Sequence, residues 1–485
     1  MRHFLIFVVP VLLVRPSSAG DPPSKPEVLA AMRKAVAFMR EEVSNRGGYL
    51  SLYTEDLSEQ WGEIPARKSM IWVQDPGTVG VGRVLLEAYR VTGATEFLSA
   101  SQDAADALLA GQHPSGGWHY FIDFDPAGTH EWHERVGSRC WGWEEFYYLC
   151  GNCTFDDHVM VGAGEFLLDM AEVTREDKYE TALHKALEFF LDSQYPNGSW
   201  PQRYPPCQSE GDRPKPDYTA HATFNDGVIL GNIEFLWRAS ERLGDSRLQG
   251  AALRGMAFVK AAQLAPPQAG WAQQYTETTR PAAARSYEPA AISTIDTLQA
   301  IEALETYFKW TGDRAYLEGI PKALDWLRNT SLPEGQREGV YTHGVFHELG
   351  TNLPLYAHRE GTTKETGRYW IDTNPENMLR GYGFKLAIDV EALEREFQRL
   401  SALTPKEARL EGEADERKRK KPETVSADKA RKILESLDER GAWVEETSFP
   451  DTADYMNNPP RRFRGIRTDT FIANIQTWVD WLKTD

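Results

Sequence analysis

Two short acidic segments stand out because each places a threonine, a phenylalanine and an aspartate just before a long apolar-periodic stretch. The first reads Thr154-Phe-Asp-Asp157 and the second reads Thr223-Phe-Asn-Asp226. Threonine and aspartate at a helix start often only cap the helix, by accepting hydrogen bonds from its backbone amides. Carboxylate oxygens brought together at two such starts could also hold a divalent cation. Because both segments follow a similar loop, we expect Asp157 and Asp226 to face one cleft and bind a metal there, with Asn225 beside them.

A third segment carries arginines where the first two carry aspartates. It reads Arg280-Pro-Ala-Ala-Ala-Arg285-Ser-Tyr287-Glu288. One interpretation is a surface arginine and a buried arginine–glutamate pair. The other is a basic subsite, because guanidinium groups match carboxylates bidentately. Carboxylates that bind a metal ion, together with arginines that bind an anion, would suit a polyanionic sugar as the ligand.

The elements that would position these residues recur along the chain. Glycine-tryptophan loops centred on Trp118, Trp200 and Trp271 alternate with amphipathic stretches of helical period. The stretches cover residues 157–173, 178–191, 227–243, 247–264, 295–311 and 315–327. Helix pairs with long loops on one side close most naturally into a ring. We therefore predict an all-α fold, an (α/α) toroid of repeated helix pairs whose long loops form a groove at one face.

The ends of the chain differ from this repeating part. An apolar run from Phe4 to Val14, followed by small residues up to Ala19, is typical of an export signal. We predict a signal peptide at 1–19, the toroid at 20–395, a charged linker or exposed helix at 396–430, and a C-terminal helical extension at 431–485 that packs on the body. The mature protein is then expected to be secreted or periplasmic and free of the membrane.

Composition narrows the partners. The formal charge is −18, and the chain has 15 tryptophans. An acidic surface argues against nucleic acid, because phosphate binding needs basic residues. It does not exclude an acidic ligand where arginines or a metal reverse the local field. We expect a monomer.

Four cysteines, at positions 140, 150, 153 and 207, would form disulfides in an oxidising compartment, and three pairings are open. The Cys150-Gly-Asn-Cys153 segment could instead be half of a zinc site, but no second Cys-x-x-Cys accompanies it.

Four separated blocks carry a family resemblance: NGSWPQRYP, HATFNDGVI, GWAQQYTETTRPAAARSYEPAAIS and FHELGTNLPLYAHREG. In this order they resemble the pectate lyases of polysaccharide lyase family 10, over residues 100–385. The resemblance implies an (α/α) toroid that cleaves polygalacturonate, or a related uronan, by calcium-assisted β-elimination to 4,5-unsaturated uronides.

By the same resemblance, Arg285 is the proton-abstracting residue, and Asp226 is a calcium-binding residue or one at the scissile bond, with Asn225 beside it. Asp157 is the second metal ligand that the repeated acidic helix starts predict. An arginine base is unusual because of its very high reference pKa, and calcium together with the neighbouring cation Arg280 would disfavour its protonated form. Arg280 stands where such enzymes are expected to carry a lysine. The predicted substrate-binding residues are Asn225, Arg280, Tyr287, Glu288, Trp200, Arg203, Tyr204, Trp271 and Asn352.

The loop after Trp118 is longer than the others and contains five potential metal ligands. These are Asp123, Asp125, His130, Glu131 and His133. Such clusters are usually polar loop, and here the loop could also reshape the groove.

Three other functions remain open. A toroid glycoside hydrolase needs two carboxylates across the scissile bond, and Asp157 with Asp226 could serve. A non-catalytic carbohydrate-binding relative could keep the same fold. Gln112 to Trp118 also reads like the motifs of terpenoid cyclases, but Asp123-Phe-Asp125 is only half of the acidic signature those enzymes need.

Overall fold

The computed structural model describes residues 22–139, 146, 149–207, 217–360, 368–379, 385–419, 421, 423–448 and 462–483. The predicted signal peptide at 1–19 and Cys140 lie outside these residues. Among the described residues, no helix is both long and apolar enough to span a lipid bilayer.

Fourteen α-helices dominate the described part of the chain. They are α1 (Lys25–Phe38), α2 (Thr78–Thr92), α3 (Thr95–Ala110), α4 (Pro126–Arg135), α5 (Val159–Thr174), α6 (Asp177–Asp192), α7 (Val228–Leu243), α8 (Ser246–Ala261), α9 (Thr294–Thr311), α10 (Ile320–Asn329), α11 (Val390–Ala402), α12 (Pro405–Arg419), α13 (Ala427–Ser436) and α14 (Thr468–Lys483).

Four antiparallel helix pairs follow one another: α2 with α3, α5 with α6, α7 with α8, and α9 with α10. A residue in the left-handed conformation ends the first helix of every pair. It is a glycine in three of them, Gly93, Gly244 and Gly312, and Arg175 in the fourth. Glycine adopts this conformation without steric cost, so the chain reverses within a few residues. The predicted all-α toroid of helix pairs is confirmed.

A glutamine before each glycine-tryptophan loop joins consecutive pairs. The side-chain amides of Gln112, Gln194 and Gln263 each donate one hydrogen bond of 2.8–2.9 Å within their own loop. Each donates a second, of 2.9 Å, to a backbone carbonyl at the outer helix of the next pair. The recurrence of the glutamine therefore has a structural cause, since the same two bonds are made three times.

The C-terminal helices complete the ring. Helix α14 packs on α2, and α12 packs on α9. A cavity of about 1170 Å³ is bounded by residues of α2, α5, α7, α12 and α14, which therefore surround a common space. The segment predicted as a charged linker or exposed helix contains α12, whose Asp415 and Glu416 pair with Lys309 of α9 and Arg238 of α7. The predicted boundary after residue 395 falls inside α11.

The described strands are short and serve mainly to fasten loops. They are β1 (Leu52–Thr54), β2 (Gln60–Trp61), β3 (Met70–Trp72), β4 (Phe121–Asp123), β5 (Cys153–Thr154), β6 (Arg203–Tyr204), β7 (Ala222–Thr223), β8 (Trp271–Ala272), β9 (Gln274–Tyr275), β10 (Pro281–Ala282), β11 (Ala291–Ser293), β12 (His343–Gly344), β13 (Phe346–Glu348), β14 (Pro354–Glu360), β15 (Arg368–Asp372), β16 (Lys385–Leu386), β17 (Val444–Ser448) and β18 (Arg462–Arg467). The largest sheet has the order β15-β14-β13-β11-β8, and a second, β17-β18-β1-β2, joins the two ends of the described chain.

One disulfide links Cys150 to Cys207, while Cys153 is a buried free thiol. The prediction of a disulfide is confirmed. The alternative zinc half-site is excluded, because one of its two sulfurs is already bonded.

Candidate active site

The starts of α5 and α7 have the same backbone conformation. Asp157 (φ 50°, ψ 33°) and Asp226 (φ 49°, ψ 27°) both occupy the left-handed region just before their helices. Aspartate tolerates this region better than most residues. The two turns pack against each other, so two helix starts separated by a full helix pair in sequence become neighbours.

The residues before these aspartates are held by matching glutamines. Gln202 Nε2 donates to Asp156 Oδ2 at 2.7 Å, and Gln273 Nε2 donates to Asn225 Oδ1 at 2.6 Å. Both glutamines lie two residues after a loop tryptophan. The hydroxyl of Tyr120, two residues after Trp118, also donates to Asp156 Oδ2, at 2.6 Å. Three successive loops therefore converge on one place.

Arg285 meets the first turn at its buried carboxylate. Its Nη2 lies 3.2 Å from Asp156 Oδ2, and its Nη1 lies 3.2 Å from Glu288 Oε1. The backbone amide of Arg285 donates to Glu288 Oε2 at 3.0 Å, and the guanidinium lies 5.8 Å from the ring centre of Tyr218. The Arg285 side chain is only 4% exposed. A guanidinium held at this many points has one orientation.

Electrostatics connect Arg285 to both aspartates. Burial raises the pKa of Asp157 to about 9, and repulsion from Asp156 and Glu63 adds to the shift. Asp226 keeps accessible surface but lies within the recess, where much of its surroundings is protein. This desolvation of its carboxylate, together with the charge of Asp156, raises its pKa to about 8. Arg285 opposes both shifts. The recess thus holds more carboxylates than cations. Because neighbouring carboxylates repel one another, the recess favours the binding of protons or of a metal ion.

Glu63 and Asp156 are two site residues that the sequence analysis missed. Glu63 Oε1 accepts from Gln74 Nε2 at 3.0 Å, and Gln74 Oε1 accepts from Trp72 Nε1 at 2.8 Å. No motif marks Glu63, because it comes from an early segment that only the closed ring brings near Asp157. The sequence did mark Asp156, because it occupies in the first repeated motif the position that Asn225 occupies in the second.

A cavity of about 470 Å³ begins at Asp157 and His158 and extends along the inner helices. It shares Arg83, Glu165 and Arg238 with the larger cavity at the opposite end of the ring. The acidic recess therefore lies at one mouth of a charged lumen.

Trp200 and Trp271, predicted to bind substrate, are completely buried. Their indole Nε1 atoms donate to the carbonyls of Phe190 and Val259, at 2.8 and 2.7 Å. An enclosed ring has no face to offer a sugar. The structure corrects this prediction by giving both tryptophans a packing role beneath the loops that carry the site.

Three other predicted binding residues differ in exposure, since Arg203 and Tyr204 lie inside the protein and Arg280 lies at its surface. Arg203 is 1% exposed and paired through its backbone with Thr154, next to the first turn. Tyr204 is half-buried, with its ring edge on Phe189 at 5.7 Å. Arg280 is exposed just before β10, which places its charge at the surface.

Asn352 lies at the turn between β13 and β14. Its Oδ1 accepts from Gln268 Nε2 at 2.8 Å and from Trp326 Nε1 at 3.0 Å. These bonds occupy the amide oxygen and fasten the turn to the neighbouring loop and to α10. Tyr287 is buried, and its ring packs on Tyr369 at 5.5 Å.

Four potential ligands of the loop after Trp118, which are Asp123, Asp125, His130 and Glu131, are engaged in ion pairs. Arg67 donates to Asp123 Oδ2 at 2.6 Å and to Asp125 Oδ2 at 2.5 Å, and His130 pairs with Glu134 on the surface of α4. Across the described residues, no group of three or more histidine, cysteine, aspartate or glutamate side chains is arranged to hold a metal on its own.

A family model described as pectic acid lyase matches residues 148–385. The predicted family resemblance is confirmed. The segment that resembles pectic acid lyases contains both aspartate turns, Arg285 and Glu288. Glu63, Tyr120 and the C-terminal helices come from outside it.

Solved structures that match this chain include polysaccharide lyases. A family 10 polysaccharide lyase from Cellvibrio cellulosa is 18% identical, over 67% of this chain and 98% of that chain, with a TM-score of 0.43. A mutant of a family 10 lyase from the same organism, in complex with trigalacturonic acid, is 20% identical over 56% and 85%, with a TM-score of 0.39. An α-1,6-mannanase from Salegentibacter is 11% identical over 95% and 100%, with a TM-score of 0.37. No curated protein matches the chain.

Proposed function

We propose that this protein is a secreted or periplasmic lyase that cleaves polygalacturonate, or a closely related uronan, by calcium-assisted β-elimination. The observation that carries the proposal is the buried Arg285 guanidinium, which lies against Asp156 in the recess that Asp157 and Asp226 face. The pectic acid lyase match over the same residues supports the substrate class.

The residues of the recess fit calcium. The available donors are carboxylate and amide oxygens, which a hard cation prefers. Asp156 Oδ1 is buried and has no hydrogen-bond partner among the described residues. Asp157 and Asp226 would hold the ion, and oxygens from the polymer would have to complete the shell, since the described side chains do not enclose a cation by themselves. Bound calcium would neutralise the substrate carboxylate and so acidify the neighbouring C5 proton.

The chain's own residues then provide orientation and proton transfer. Asp156 and Glu288 hold the Arg285 guanidinium from two sides, so its direction does not depend on substrate. The Arg285 guanidinium first releases a proton to solvent; the neutral guanidine then accepts the C5 proton, the C5–H electron pair becomes the C4–C5 double bond, and the electrons of the breaking C4–O bond leave with the glycosidic oxygen. The leaving oxygen takes up a proton. Two anionic partners oppose deprotonation of Arg285, so this base requires that cations balance the recess.

The test is to incubate the pure protein with polygalacturonate, with added calcium or with a chelator, and to follow ultraviolet absorbance. Elimination creates a conjugated double bond, so absorbance should rise with calcium and stop with the chelator. New reducing ends without absorbance would show hydrolysis, and binding without either product would show a non-catalytic sugar-binding protein.

A matched pair of arginine variants locates the chemistry. Arg285→Lys should lower kcat by roughly 10²- to 10⁴-fold, the usual contribution of a positioned acid or base. Arg280→Ala removes an exposed charge and should raise KM with little change in kcat. Equal losses of kcat in both variants would contradict the role given to Arg285.

A further inference from the structure

A histidine follows Asp157 in a backbone conformation that its side chain disfavours. His158 has φ 59° and ψ 20° and is the second of two consecutive left-handed residues before α5. The equivalent residue before α7 is Gly227, which adopts the same region without a Cβ. Because strained residues of this kind cluster at functional sites, the exchange of glycine for histidine indicates a role for the imidazole itself.

The imidazole does not stabilise the turn that carries it. His158 is exposed, and its side chain makes no capping hydrogen bond to α5. Within the described part of the chain, the ring has no hydrogen-bond, ion-pair or aromatic partner. A neutral imidazole carries one N–H donor and one acceptor nitrogen. Both are therefore available to a ligand.

Two glycines provide the space that the ring occupies. A Cβ at Gly227 would be 2.7 Å from His158 Cε1 and 3.1 Å from Nε2, and a Cβ at Gly231 would be 2.9 Å from Nδ1. The two glycines are about one helical turn apart, so any larger residue at either position would displace the ring. The imidazole thus lies on the start of α7 and spans the two aspartate turns.

The ring also borders the cavity that begins at the acidic recess. His158 and Asp157 line this cavity of about 470 Å³ together with Gln74 and Asp75. Ionised carboxylates only accept hydrogen bonds, whereas His158 offers a donor. A sugar hydroxyl both donates and accepts, so a sugar can bind a carboxylate of the recess and the imidazole at the same time.

We propose that His158 is a substrate-binding residue, whose imidazole hydrogen-bonds a hydroxyl group of the sugar held beside Asp157 and Asp226. The proposal rests on the proposed function for the identity of that sugar, which is a uronate of the polymer. A left-handed histidine then lowers stability and contributes affinity. Removal of its side chain should separate these two quantities.

The experiment measures trigalacturonate binding by calorimetry, at saturating calcium and in the Arg285→Lys background, where slow turnover leaves the oligomer intact. His158→Gly should raise the dissociation constant roughly tenfold, the effect of losing one hydrogen bond of ordinary strength. The urea concentration at half-unfolding should stay the same or rise, because glycine suits the left-handed turn. His158→Asn tolerates this conformation and keeps a donor, so it should recover part of the affinity. A loss of stability together with affinity in His158→Gly would indicate a structural role and refute the contact.

Arg175→Gly is the matched control. Arg175 is exposed and has the same left-handed conformation, with φ 56° and ψ 32°, at the other end of α5. Glycine at this position should relieve the same strain and change neither trimer affinity nor activity. An equal loss of affinity in both glycine variants would assign the effect to the helix and refute the contact.

Turnover distinguishes this proposal from the proposed function. With Arg285 intact, His158→Gly should raise KM for polygalacturonate more than it lowers kcat, and the calcium concentration for half-maximal activity should change less than about twofold. A higher calcium requirement with unchanged trimer affinity would assign the imidazole to the ion and refute the sugar contact.

The two proposals fail separately. If the wild type cleaves the polymer and His158→Gly leaves trimer affinity unchanged, the contact is refuted while the lyase assignment stands. If the wild type binds the trimer without cleaving the polymer and His158→Gly weakens binding, the contact stands and the lyase assignment fails. A wild-type protein that neither binds nor cleaves the uronan refutes both.

Discussion

The turn before α5 and the turn before α7 share a backbone and differ in chemistry. Asp157 and Asp226 are equivalent, with nearly identical left-handed angles. Their neighbours are not. Asp156 accepts from Arg285, whereas Asn225 accepts from Gln273 and donates to Asp226. The turn before α5 is thus bound to the proposed base through Asp156. In the turn before α7, the amide of Asn225 instead binds the carboxylate of Asp226 in the same turn.

The residues after the two aspartates also differ. His158 follows Asp157, and Gly227 follows Asp226, both with positive φ. The His158 ring lies over the second turn, because a Cβ at Gly227 would be 2.7 Å from His158 Cε1. A repeated unit has acquired two roles here through its flanking residues, while the aspartates that define it stayed the same.

The largest effect should come from exchanging the acid of the first turn for an amide and the amide of the second turn for an acid. Asp156→Asn removes one anionic partner of the buried Arg285, so we expect a loss of about 3 kcal/mol in stability and at least about 100-fold in activity. Chemical denaturation and the absorbance assay measure both quantities. Asn225→Asp is the matched variant and should leave Arg285 unaffected while weakening folding without calcium. If the two variants behave alike, the turns are not specialised.

Removal of either equivalent carboxylate should weaken the calcium response. In Asp157→Asn and in Asp226→Asn, the calcium concentration for half-maximal activity should rise roughly 10- to 100-fold, as when metal-site residues are altered. Asp325→Asn is the control, since its side chain is 72% exposed on an outer helix. A calcium requirement unchanged in both site variants would remove the ion from these residues.

The glycine and histidine at the next position provide a double-mutant cycle. Gly227→Ala should cost roughly 1–2 kcal/mol, because the left-handed conformation disfavours a Cβ and this Cβ would meet His158. His158→Gly should be neutral or stabilising by up to about 1 kcal/mol, because His158 already holds a positive φ. The double variant should recover the part of the loss due to the clash. Strict additivity would mean that the imidazole does not lie over Gly227.

The pH dependence of stability without calcium tests the raised pKa values of the two equivalent carboxylates. The folded pKa values of Asp157 and Asp226 lie at about 9 and about 8, above the ordinary value of 3.8. The folded state therefore binds more protons than the unfolded state between these values, and stability should fall as pH rises from about 4 toward 9. Melting temperatures across this window should decline less in Asp226→Asn. A slope of the opposite sign would contradict the raised pKa values.

Much of the fold could be read from the sequence because the repeat is local. The glycine and tryptophan of each loop and the apolar period of each helix are local sequence patterns, and these predicted the helix pairs. Asp157, Asp226, Arg285 and Glu288 were brought to one region, as predicted. Trp200 and Trp271, which were predicted to bind substrate, lie in the core. The prediction failed because a sequence pattern does not distinguish an aromatic ring that packs from one that binds a ligand.

The amino-acid sequence by itself determined the repeated helix pair and the acidic helix starts. Only the tertiary structure decided which carboxylate meets Arg285. The left-handed turn at Asp157 leaves Asp156, and not its neighbour, bonded to the guanidinium. Only ring closure brings Glu63 near Asp157 and makes the C-terminal helices part of the lumen. Such contacts join segments far apart in the sequence, from the 94 residues between Glu63 and Asp157 to the 396 residues between Glu87 and Lys483. They follow from packing that no local period encodes.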